Sequence, residues 1–355
     1  MEPLWIDDSE LLRLVHGGAV LGGGGGGSIA EGLAAGWRAV AGGCPRIMEL
    51  DAIAPDSIVV TLSRVGPIVA DEPRGTDDGL RALRLFREAF PGEVAGFVPS
   101  EVGPGAVTYG LAESSATGLP VIDAPCNGRA HPTGVMGSLG LDADPAYSTV
   151  TVAVGGSLGS PGIEVTARGD LSLAAQLVRE SAARLGRPVT VVRNPVPASY
   201  LRQHAAVGAL AMARKVGGAL LRSLPSGVAA VMDAIAELLG GQAHGCGPVQ
   251  EIDLADRGGY TVGRLRVALT PRRVLTVPVC NEYMMVFDPE GRLASFPDLI
   301  VLFDAETALP LGSRSLRTGQ EVGVLTVPRS RLILGSPMRN PALLHPVEAL
   351  IGYQL

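Results

Sequence analysis

The sequence has few charged and few aromatic residues. Charged residues make up 18% of the 355 residues, against about 25% in typical soluble proteins, and aromatic residues make up only 4%. The formal net charge is −6, and no cluster of Lys or Arg is present. Because nucleic-acid-binding proteins need basic patches and aromatic side chains that stack on bases, we expect no nucleic-acid partner. The hydrophobic fraction of 46% predicts a large core, and it favours a homo-oligomer.

Long apolar runs and paired cysteines are also missing. Gly, Pro or a charged residue interrupts every apolar run before the roughly 20 residues that a membrane span needs, so we expect no membrane segment. The N-terminus is acidic and lacks the basic and apolar regions of a secretory signal, which favours a cytoplasmic location. The four cysteines lie far apart without a CxxC pair, and we expect free thiols, metal ligands or nucleophiles rather than disulfides; they are Cys44, Cys126, Cys246 and Cys280.

The chain is too long for one ordinary core, so we expect two domains with a smaller piece between them. In residues 1–167, short apolar runs alternate with amphipathic stretches of helical length, which predicts an α/β domain with a mostly parallel sheet. Residues 168–246 form a helix-rich segment with one strand at 188–192. Residues 247–355 consist of short alternating runs separated by Gly, Pro and Asp, which predicts a β-rich domain.

A run of six glycines, Gly22 to Gly27, separates two predicted helices near the N-terminus. The first helix begins after Asp7 and ends at Gly17 and Gly18, and the second runs from Ile29 to about Val40. Glycines that open a helix expose backbone N–H groups at the positive end of the helix dipole, which suits a polar or anionic ligand. The run matches neither the P-loop nor the dinucleotide motif. It is either a hinge between helices or a wall of the site, and the candidate binding residues are Gly24, Gly25, Gly26 and Ser28.

The loop from Asp123 to Pro132 carries an acid, a thiol, an amide, a guanidinium and an imidazole directly after the buried run 119–122. Reactive groups at the end of a buried strand are typical of α/β sites. The segment 99–103, Pro-Ser-Glu-Val-Gly, follows another predicted strand, so we expect Glu101 to approach this loop. The candidate catalytic residues here are Asp123, Cys126, His131 and Glu101, and the candidate binding residues are Asn127 and Arg129.

A second cluster of reactive residues lies in the β-rich part of the chain, at Cys280, Asn281 and Glu282. Pro278 cannot donate a hydrogen bond to a neighbouring strand, so it predicts a sheet edge or a break just before the cluster. We therefore expect Cys280 and Glu282 as catalytic residues and Asn281 as a binding residue in a cleft between the domains.

Taken in order, these motifs resemble the S-methyl-thiohydantoin desulfurase family. The matching features are the glycine run, Pro-Ser-Glu-Val-Gly, Asp-Ala-x-x-x-Gly-Arg-Ala-x-Pro, Cys-Asn-Glu, Phe-Pro-Asp-Leu-Ile and Gly-Gln-Glu-Val, and they extend over nearly the whole chain. The resemblance implies conversion of a thiohydantoin C=S group to C=O with release of hydrogen sulfide, as in bacterial ergothioneine breakdown. Many relatives carry a residue other than Cys at this position, so the resemblance implies that Cys126 marks a desulfurase-type branch.

We expect the Cys126 thiolate, activated by His131 and Arg129, to attack the ring carbon and expel sulfide before water hydrolyses the adduct. Asp123, Glu101 or Glu282 would hold ring N–H groups and move protons. The glycine N–H groups or Asn127 would stabilise developing negative charge.

Three alternatives stay open. A zinc ion held by Cys126, His131, Cys280 and Glu282 would polarise sulfur and generate hydroxide. The same pocket would also suit a hydrolase of hydantoins or related cyclic amides. A protein without catalytic activity of its own would instead serve as a subunit of a hydantoinase. An arginine would be needed to bind a carboxylate on the substrate, and the candidates are Arg64, Arg129 and Arg193.

Overall fold

A computed structural model describes residues 2–66, 76–156 and 162–355. Two eight-stranded sheets form the frame of the described chain, which confirms the predicted α/β class with a β-rich C-terminal part. The first sheet contains β1 (Leu4–Trp5), β2 (Arg46–Met48), β3 (Ile58–Val65), β4 (Val94–Pro99), β5 (Val121–Ile122), β6 (Thr149–Gly155), β7 (Ile163–Gly169) and β8 (Val189–Pro197).

The order of strands in the first sheet is β1-β2-β5-β4-β3-β8-β6-β7. Strands β2, β5, β4 and β3 are parallel neighbours. β8 is antiparallel to both β3 and β6, so β6 runs in the same direction as the parallel group. The sheet is therefore mixed, and it is mostly parallel in the sense that five of its eight strands run in the same direction. Because β4 and β5 are parallel neighbours, the loops after their carboxyl ends lie at one edge, as predicted for the two polar loops.

Nine α-helices lie in the described part of the chain. They are α1 (Asp8–Leu21), α2 (Ile29–Gly42), α3 (Thr76–Ala89), α4 (Leu111–Thr117), α5 (Leu171–Leu185), α6 (Ala198–His204), α7 (Ala209–Ser223), α8 (Gly227–Leu239) and α9 (His345–Ile351). The side chain of Asp7 accepts a hydrogen bond from the Glu10 N–H at 2.8 Å, so the predicted cap of α1 is confirmed.

The predicted end of α1 at Gly17 and Gly18 is wrong, because the helix continues to Leu21. A Cβ atom at Gly17 would lie 1.7 Å from the Ala213 carbonyl oxygen, and one at Gly217 would lie 1.8 Å from that of Arg13. These glycines therefore allow α1 and α7 to pack closely rather than ending the helix. Within the segment predicted as helix-rich, α6 and α7 are separate helices.

The second sheet is antiparallel and contains β9 (Gln242–Arg257), β10 (Tyr260–Thr270), β11 (Arg273–Cys280), β12 (Glu282–Tyr283), β13 (Met285–Asp288), β14 (Gly291–Ser295), β15 (Leu299–Asp304) and β16 (Glu321–Val327). β11 pairs with β13 at Thr276 and with β12 at Val279 and Cys280. Pro278 lies where β11 changes partner, which agrees with the predicted break.

The domain limits inferred above remain predictions, although some elements cross them. β8 lies in the first sheet, whereas its residues fall in the segment predicted as helix-rich. β9 begins at Gln242 and contains Cys246, so it crosses the predicted limit between residues 246 and 247.

One apolar stretch, Ala209–Leu239, is long and apolar enough to cross a membrane by length and composition alone. In the fold it consists of α7 and α8, separated by a turn that contains Pro225. α7 packs along α1, and α8 contacts β16, so each of the two helices packs against another element of the fold. The cytoplasmic location and the homo-oligomer remain predictions.

Candidate active site at the junction of the two sheets

A cavity of about 260 Å³, with several charged side chains in its wall, lies where the glycine run, the first sheet and the second sheet meet. Its volume is just below the range of about 300–1,000 Å³ that is usual for small-molecule sites, so it suits a compact ligand. Of the predicted site residues, it brings together Gly25, Gly26, Glu101, His131, Asn281 and Glu282. These residues come from both halves of the chain, as the sequence predicts.

The glycine run links α1 to α2 and contacts the second sheet directly. The Gly23 carbonyl accepts a hydrogen bond from the Tyr283 N–H at 2.9 Å, and the Gly24 carbonyl accepts one from the Ser313 N–H at 3.0 Å. A Cβ at Gly24 would lie 2.7 Å from the Tyr283 ring, and Gly24 has φ of +93°. Gly24 therefore packs behind the cavity, where its backbone joins the two parts of the chain.

Gly25 and Gly26 form part of the cavity wall. A Cβ at Gly25 would lie 2.1 Å from Oε1 of Glu282, so only glycine lets this carboxyl group reach its position. The Gly26 carbonyl accepts hydrogen bonds from Gly105 and Ala106 at 2.9 and 3.1 Å. In the described part of the chain, the N–H groups of Gly26 and Gly27 donate to no protein acceptor. They are free to stabilise negative charge on a ligand.

Ser28 has a structural role at the start of α2. Its hydroxyl accepts a hydrogen bond from the Glu31 N–H at 3.2 Å, and Glu31 Oε2 accepts one from the Ser28 N–H at 2.8 Å. This reciprocal pair is a capping box. The Ser28 hydroxyl fixes the direction in which the glycine run enters α2, and Ser28 does not line the cavity of about 260 Å³.

Glu101 and His131 meet at the edge of the first sheet, as expected for the loops after β4 and β5. The Glu101 Oε2 atom accepts a hydrogen bond from the His131 N–H at 3.2 Å and lies 3.5 Å from the ring Nε2. The ring Nε2 also lies 3.4 Å from the Ser100 carbonyl oxygen. Burial lowers the pKa of His131, and Glu101 partly opposes this effect. The imidazole is therefore neutral near pH 7, and its Nδ1 has no partner in the described part of the chain.

Glu282 approaches from the second sheet and is only 3% exposed. Its Oε2 forms no hydrogen bond within the described residues. Burial raises the pKa of Glu282 well above its ordinary value; Glu101 adds to the increase, and Arg129 opposes it. These influences favour the protonated form of Glu282, which can act as a general acid.

Asn281 has an unusual backbone conformation with φ of +61°. The turn at Asn281 positions Glu282, the next residue. Its side-chain Oδ1 accepts a hydrogen bond from the Thr261 N–H at 2.9 Å, and its own N–H donates to the Thr261 carbonyl at 2.8 Å. Asn tolerates the left-handed region better than most residues. Asn281 lines the cavity, but its oxygen is already occupied in holding this turn.

Arg129 is fully buried and lies outside the cavity wall. Its guanidinium donates to the carbonyls of Pro297 at 3.1 Å, Ala130 at 3.2 Å and Asp298, and its Cζ lies 4.5 Å from the centre of the Phe296 ring. Burial lowers its pKa to about 10, while Glu282 has the opposite effect. These contacts give Arg129 the role of joining the first loop to the second sheet rather than of binding substrate.

Asp123 and Asn127 hold the loop in place from the side away from the cavity. The two Asp123 carboxyl oxygens accept hydrogen bonds from the N–H groups of Leu210 at 2.7 Å and Ala211 at 3.0 Å, at the start of α7. Burial raises the pKa of Asp123, although these two bonds oppose the increase. The Asn127 Oδ1 accepts bonds from the N–H groups of Gly128 at 3.0 Å and Gly335 at 3.2 Å.

Cys126 is fully buried and does not line the cavity. Its Sγ lies 3.3 Å from the Thr61 hydroxyl, and burial raises the pKa of the thiol to about 11 while that hydroxyl lowers it. A nucleophilic cysteine needs an accessible thiolate. The geometry gives Cys126 neither accessibility nor a lowered pKa, so it has the environment of a small core residue beneath the cavity.

The proposed zinc ligands do not come together. Cys280 is buried among apolar side chains including Met284 and Phe296, outside the cavity wall, and burial raises the pKa of its thiol to about 12. Within residues 2–66, 76–156 and 162–355, no group of three or more His, Cys, Asp and Glu side chains is placed to hold a metal ion. Cys126, His131, Cys280 and Glu282 therefore do not fit a zinc site in this arrangement.

The sequence does not indicate which arginine side chains line the cavity. Arg64 on β3 and Arg193 on β8 line it, as does Arg179 on α5, which was not among the candidates. Arg314 also lines it but forms an ion pair with Asp256 at 2.7 Å. Arg179 stands in an amphipathic helix, where an arginine reads as an ordinary solvent-facing residue. No local pattern distinguishes it.

The fold and the cavity define a protein of two joined sheets, with carboxyl, imidazole and guanidinium groups lining a small cavity at their junction. The chain belongs to the S-Me-THD-like family: residues 9–160 match the model of the N-terminal domain, and residues 170–338 match that of the C-terminal domain. Among solved structures, a crystal structure of a protein from Chromobacterium violaceum is similar, with a TM-score of 0.71 and 21% identity over 98% of this chain and 96% of that one. At this identity the similarity supports the fold alone. No curated protein matches the chain.

Proposed function

We propose that this protein hydrolyses the carbon–sulfur double bond of a thiohydantoin ring, forming a carbonyl group and releasing hydrogen sulfide. Family membership supports the substrate class. The observation that carries the proposal is that Glu101 and Glu282 line one cavity, where the charge of Glu101 adds to the raised pKa of Glu282. Two carboxyl groups whose environments differ are a common arrangement for moving protons to and from a reacting centre.

Water is the nucleophile in this proposal, in place of the Cys126 thiolate that the sequence favours. Cys126 lies outside the cavity with a pKa of about 11, whereas Glu101 lines the cavity and accepts a hydrogen bond through Oε2. Glu101 takes a proton from water as the water oxygen bonds to the ring carbon. The π electrons of C=S move to sulfur, which takes the proton of Glu282. The product is a tetrahedral carbon that carries a hydroxyl and a thiol.

The second step restores both carboxyl groups. The hydroxyl gives its proton, which came from water, to the Glu282 carboxylate as C=O forms and the carbon–sulfur bond breaks. The departing sulfur takes the proton held by Glu101 and leaves as hydrogen sulfide. The sum is C=S plus water giving C=O plus hydrogen sulfide, and no oxidant or reductant is needed.

The remaining cavity groups bind and orient the ring. The free N–H groups of Gly26 and Gly27 stabilise negative charge that develops on sulfur or oxygen. His131 Nδ1 has no protein partner in the described part of the chain, so it accepts a hydrogen bond from a ring N–H. The His131 ring also holds Glu101 in position through the 3.5 Å contact between Nε2 and Oε2.

Sulfide detection with C5-substituted thiohydantoins tests this proposal. We expect the purified protein alone to release stoichiometric sulfide and to form the corresponding hydantoin, with and without chelator. Ring opening of hydantoins without sulfide release would identify a cyclic amide hydrolase instead. Turnover only after addition of a hydantoinase would favour the role of a supporting subunit. A place in ergothioneine breakdown belongs to the same proposal and rests on the family resemblance.

A further inference from the structure

Strand β7 lies at the edge of the first sheet. Among the described strands it pairs only with β6, in a register that places Val152 opposite Thr166. In the part of the chain that the structure describes, no backbone hydrogen bond from outside this strand pair reaches β7. The N–H and C=O groups along the outer edge of its seven residues are therefore open. Such an edge is a template for pairing with another strand.

The exposed side chains of β7 carry a symmetric charge pattern. Glu164 and Arg168 stand two residues before and two residues after Thr166, and all three are exposed. When two copies of β7 pair antiparallel about a two-fold axis at Thr166, Glu164 of each copy lies opposite Arg168 of the other. Opposite charges in directly facing positions stabilise an antiparallel pair. The edge of β7 is therefore complementary in charge to a second copy of itself.

The charges also favour this register over its neighbours. An axis at the next residue, Ala167, would bring Glu164 opposite Asp170, and like charges in facing positions are destabilising. An axis at the preceding residue would leave Glu164 and Arg168 without opposite charges. Of these three registers, only the one centred on Thr166 pairs both charged side chains.

The contacts that these side chains already make are compatible with a second copy. Glu164 accepts a hydrogen bond from Arg81 of α3 through Oε1, and this ion pair is at the surface, with 37% of the Glu164 side chain and 55% of the Arg81 side chain exposed. Arg168 donates to the Ala89 carbonyl through one terminal nitrogen. A carboxylate can accept, and a guanidinium can donate, several hydrogen bonds at once. Each side chain can therefore bind a second copy while it keeps its present contact.

Helix α5 adds an apolar surface beside the same edge. Its Val178 packs in one cluster with Val165 of β7, so the helix covers one face of the strand. Leu173 and Leu177, one turn apart on α5, are 63% and 51% exposed. A second copy paired through β7 would bring its own α5 to this face of the sheet, where the leucines of the two helices can pack together and leave water.

We propose that two copies of this chain associate through β7, antiparallel about a two-fold axis at Thr166, so that their first sheets join into one continuous sheet. Ion pairs between Glu164 and Arg168 of different copies fix the register, and the two α5 helices pack beside the axis. The interface is independent of the proposed reaction. Because α5 also carries Arg179 of the cavity wall, the dimer supports that wall without contributing a residue to the cavity.

Charge reversal tests the interface, with the dimer dissociation constant of the full chain measured by analytical ultracentrifugation. We expect the wild type to form a dimer at micromolar concentrations. Glu164→Arg and Arg168→Glu should each raise Kd by about tenfold or more, because each replaces two attractive pairs with two repulsive ones. The double variant restores opposite charges and should return Kd to within about threefold of wild type. Arg87→Glu, on the exposed surface of α3, is the control and should leave Kd unchanged.

A cysteine on the axis provides a second test that does not depend on charge. Thr166→Cys would place two thiols opposite each other at the Cα separation of about 4.5–5.5 Å of paired antiparallel strands, which a disulfide can span. We expect mild oxidation to give a covalent dimer, linked at the substituted position in peptide mapping. The exposed Cys44 and Cys246 are the internal control.

Three results would overturn the proposal. The first is a wild type that stays monomeric, which would leave the edge of β7 for a strand of another protein. The second is a dimer whose Kd neither charge reversal changes. The third is a Thr166→Cys dimer that is linked only through Cys44 or Cys246.

Discussion

Replacing Cys126 by alanine separates water from thiolate as the nucleophile. Burial raises the pKa of Cys126 from 9.0 to about 11, which corresponds to about 2.7 kcal/mol against the thiolate at about 1.36 kcal/mol for each pKa unit. At pH 7.5 the thiolate would be about 3 in 10,000 of the molecules, against about 3 in 100 for an ordinary thiol. We therefore expect Cys126→Ala to keep sulfide release within about threefold of wild type.

The same substitution should affect stability, because Cys126 packs in the core with its Sγ 3.3 Å from the Thr61 hydroxyl. We expect the free energy of unfolding to fall by about 1–2 kcal/mol, measured by urea denaturation. Alkylation followed by mass spectrometry provides a second readout. The exposed Cys44 should react in the native protein, and the buried Cys126 and Cys280 only after unfolding.

A folded Cys126→Ala variant whose sulfide release falls by a factor of about 1,000 or more would refute this reasoning, because loss of a covalent nucleophile has effects of that size. Rapid alkylation of Cys126 in the native protein, if substrate blocked it, would also argue against water as the nucleophile. Either result would require the loop to open and bring the thiol into the cavity.

Three further substitutions test the assigned roles. Asp123→Ala should lower the free energy of unfolding by about 1–3 kcal/mol, because two N–H groups of α7 lose their acceptor, and a large loss of kcat with unchanged urea stability would argue against this role. Gly25→Ala should reduce kcat at least about tenfold, because the added Cβ would lie 2.1 Å from Glu282 Oε1; Gly42→Ala, with no atom within 4 Å of the added Cβ, is its control. Glu282 has a raised pKa in the folded protein, so it favours folding below its unfolded pKa, and this contribution is lost as pH rises through the folded pKa. Glu282→Gln should therefore flatten the decline of unfolding free energy over that range, and an unchanged pH profile would contradict the assignment.

The sequence correctly predicts that the loops after β4 and β5 lie close together, because their proximity follows from the strand topology. Alternation of strands and helices predicts parallel strands, and parallel strands place Glu101 and His131 at one edge. The polar cluster at Asn281 and Glu282 was found for a similar reason, since Pro278 indicates a break in the sheet. These features follow from backbone rules that act over a few residues.

The roles of the residues in the loop from Asp123 to Pro132 could not be predicted from the sequence, because they depend on tertiary contacts. Asp123 and Arg129 look reactive in sequence, but Asp123 bonds to α7 and Arg129 bonds to carbonyls of the second sheet. Cys126 follows Pro125 in a polar loop, yet its side chain points into the core. A single sequence shows which polar groups are present but not which N–H or carbonyl groups lie opposite them.

The cavity arginines show the same limit. Arg193 follows the apolar run 189–192 in β8, and the face on which its side chain lies is set by pairing with Thr61 and Thr151 on neighbouring strands. A shift of one residue in register would move it to the other face. Gly17 and Gly217 likewise resemble helix breakers until the two helices are seen in contact.

The most direct test of the account is sulfide release by Glu101→Gln and Glu282→Gln, measured with a thiohydantoin over a range of pH. The account predicts that each variant loses at least about 100-fold in kcat, as expected for removal of a general acid or base, while circular dichroism shows an intact fold. It also predicts that wild-type activity declines as pH rises through the raised pKa of Glu282. Sulfide release within about threefold of wild type in both variants would contradict the central claim that these two carboxyl groups carry the protons.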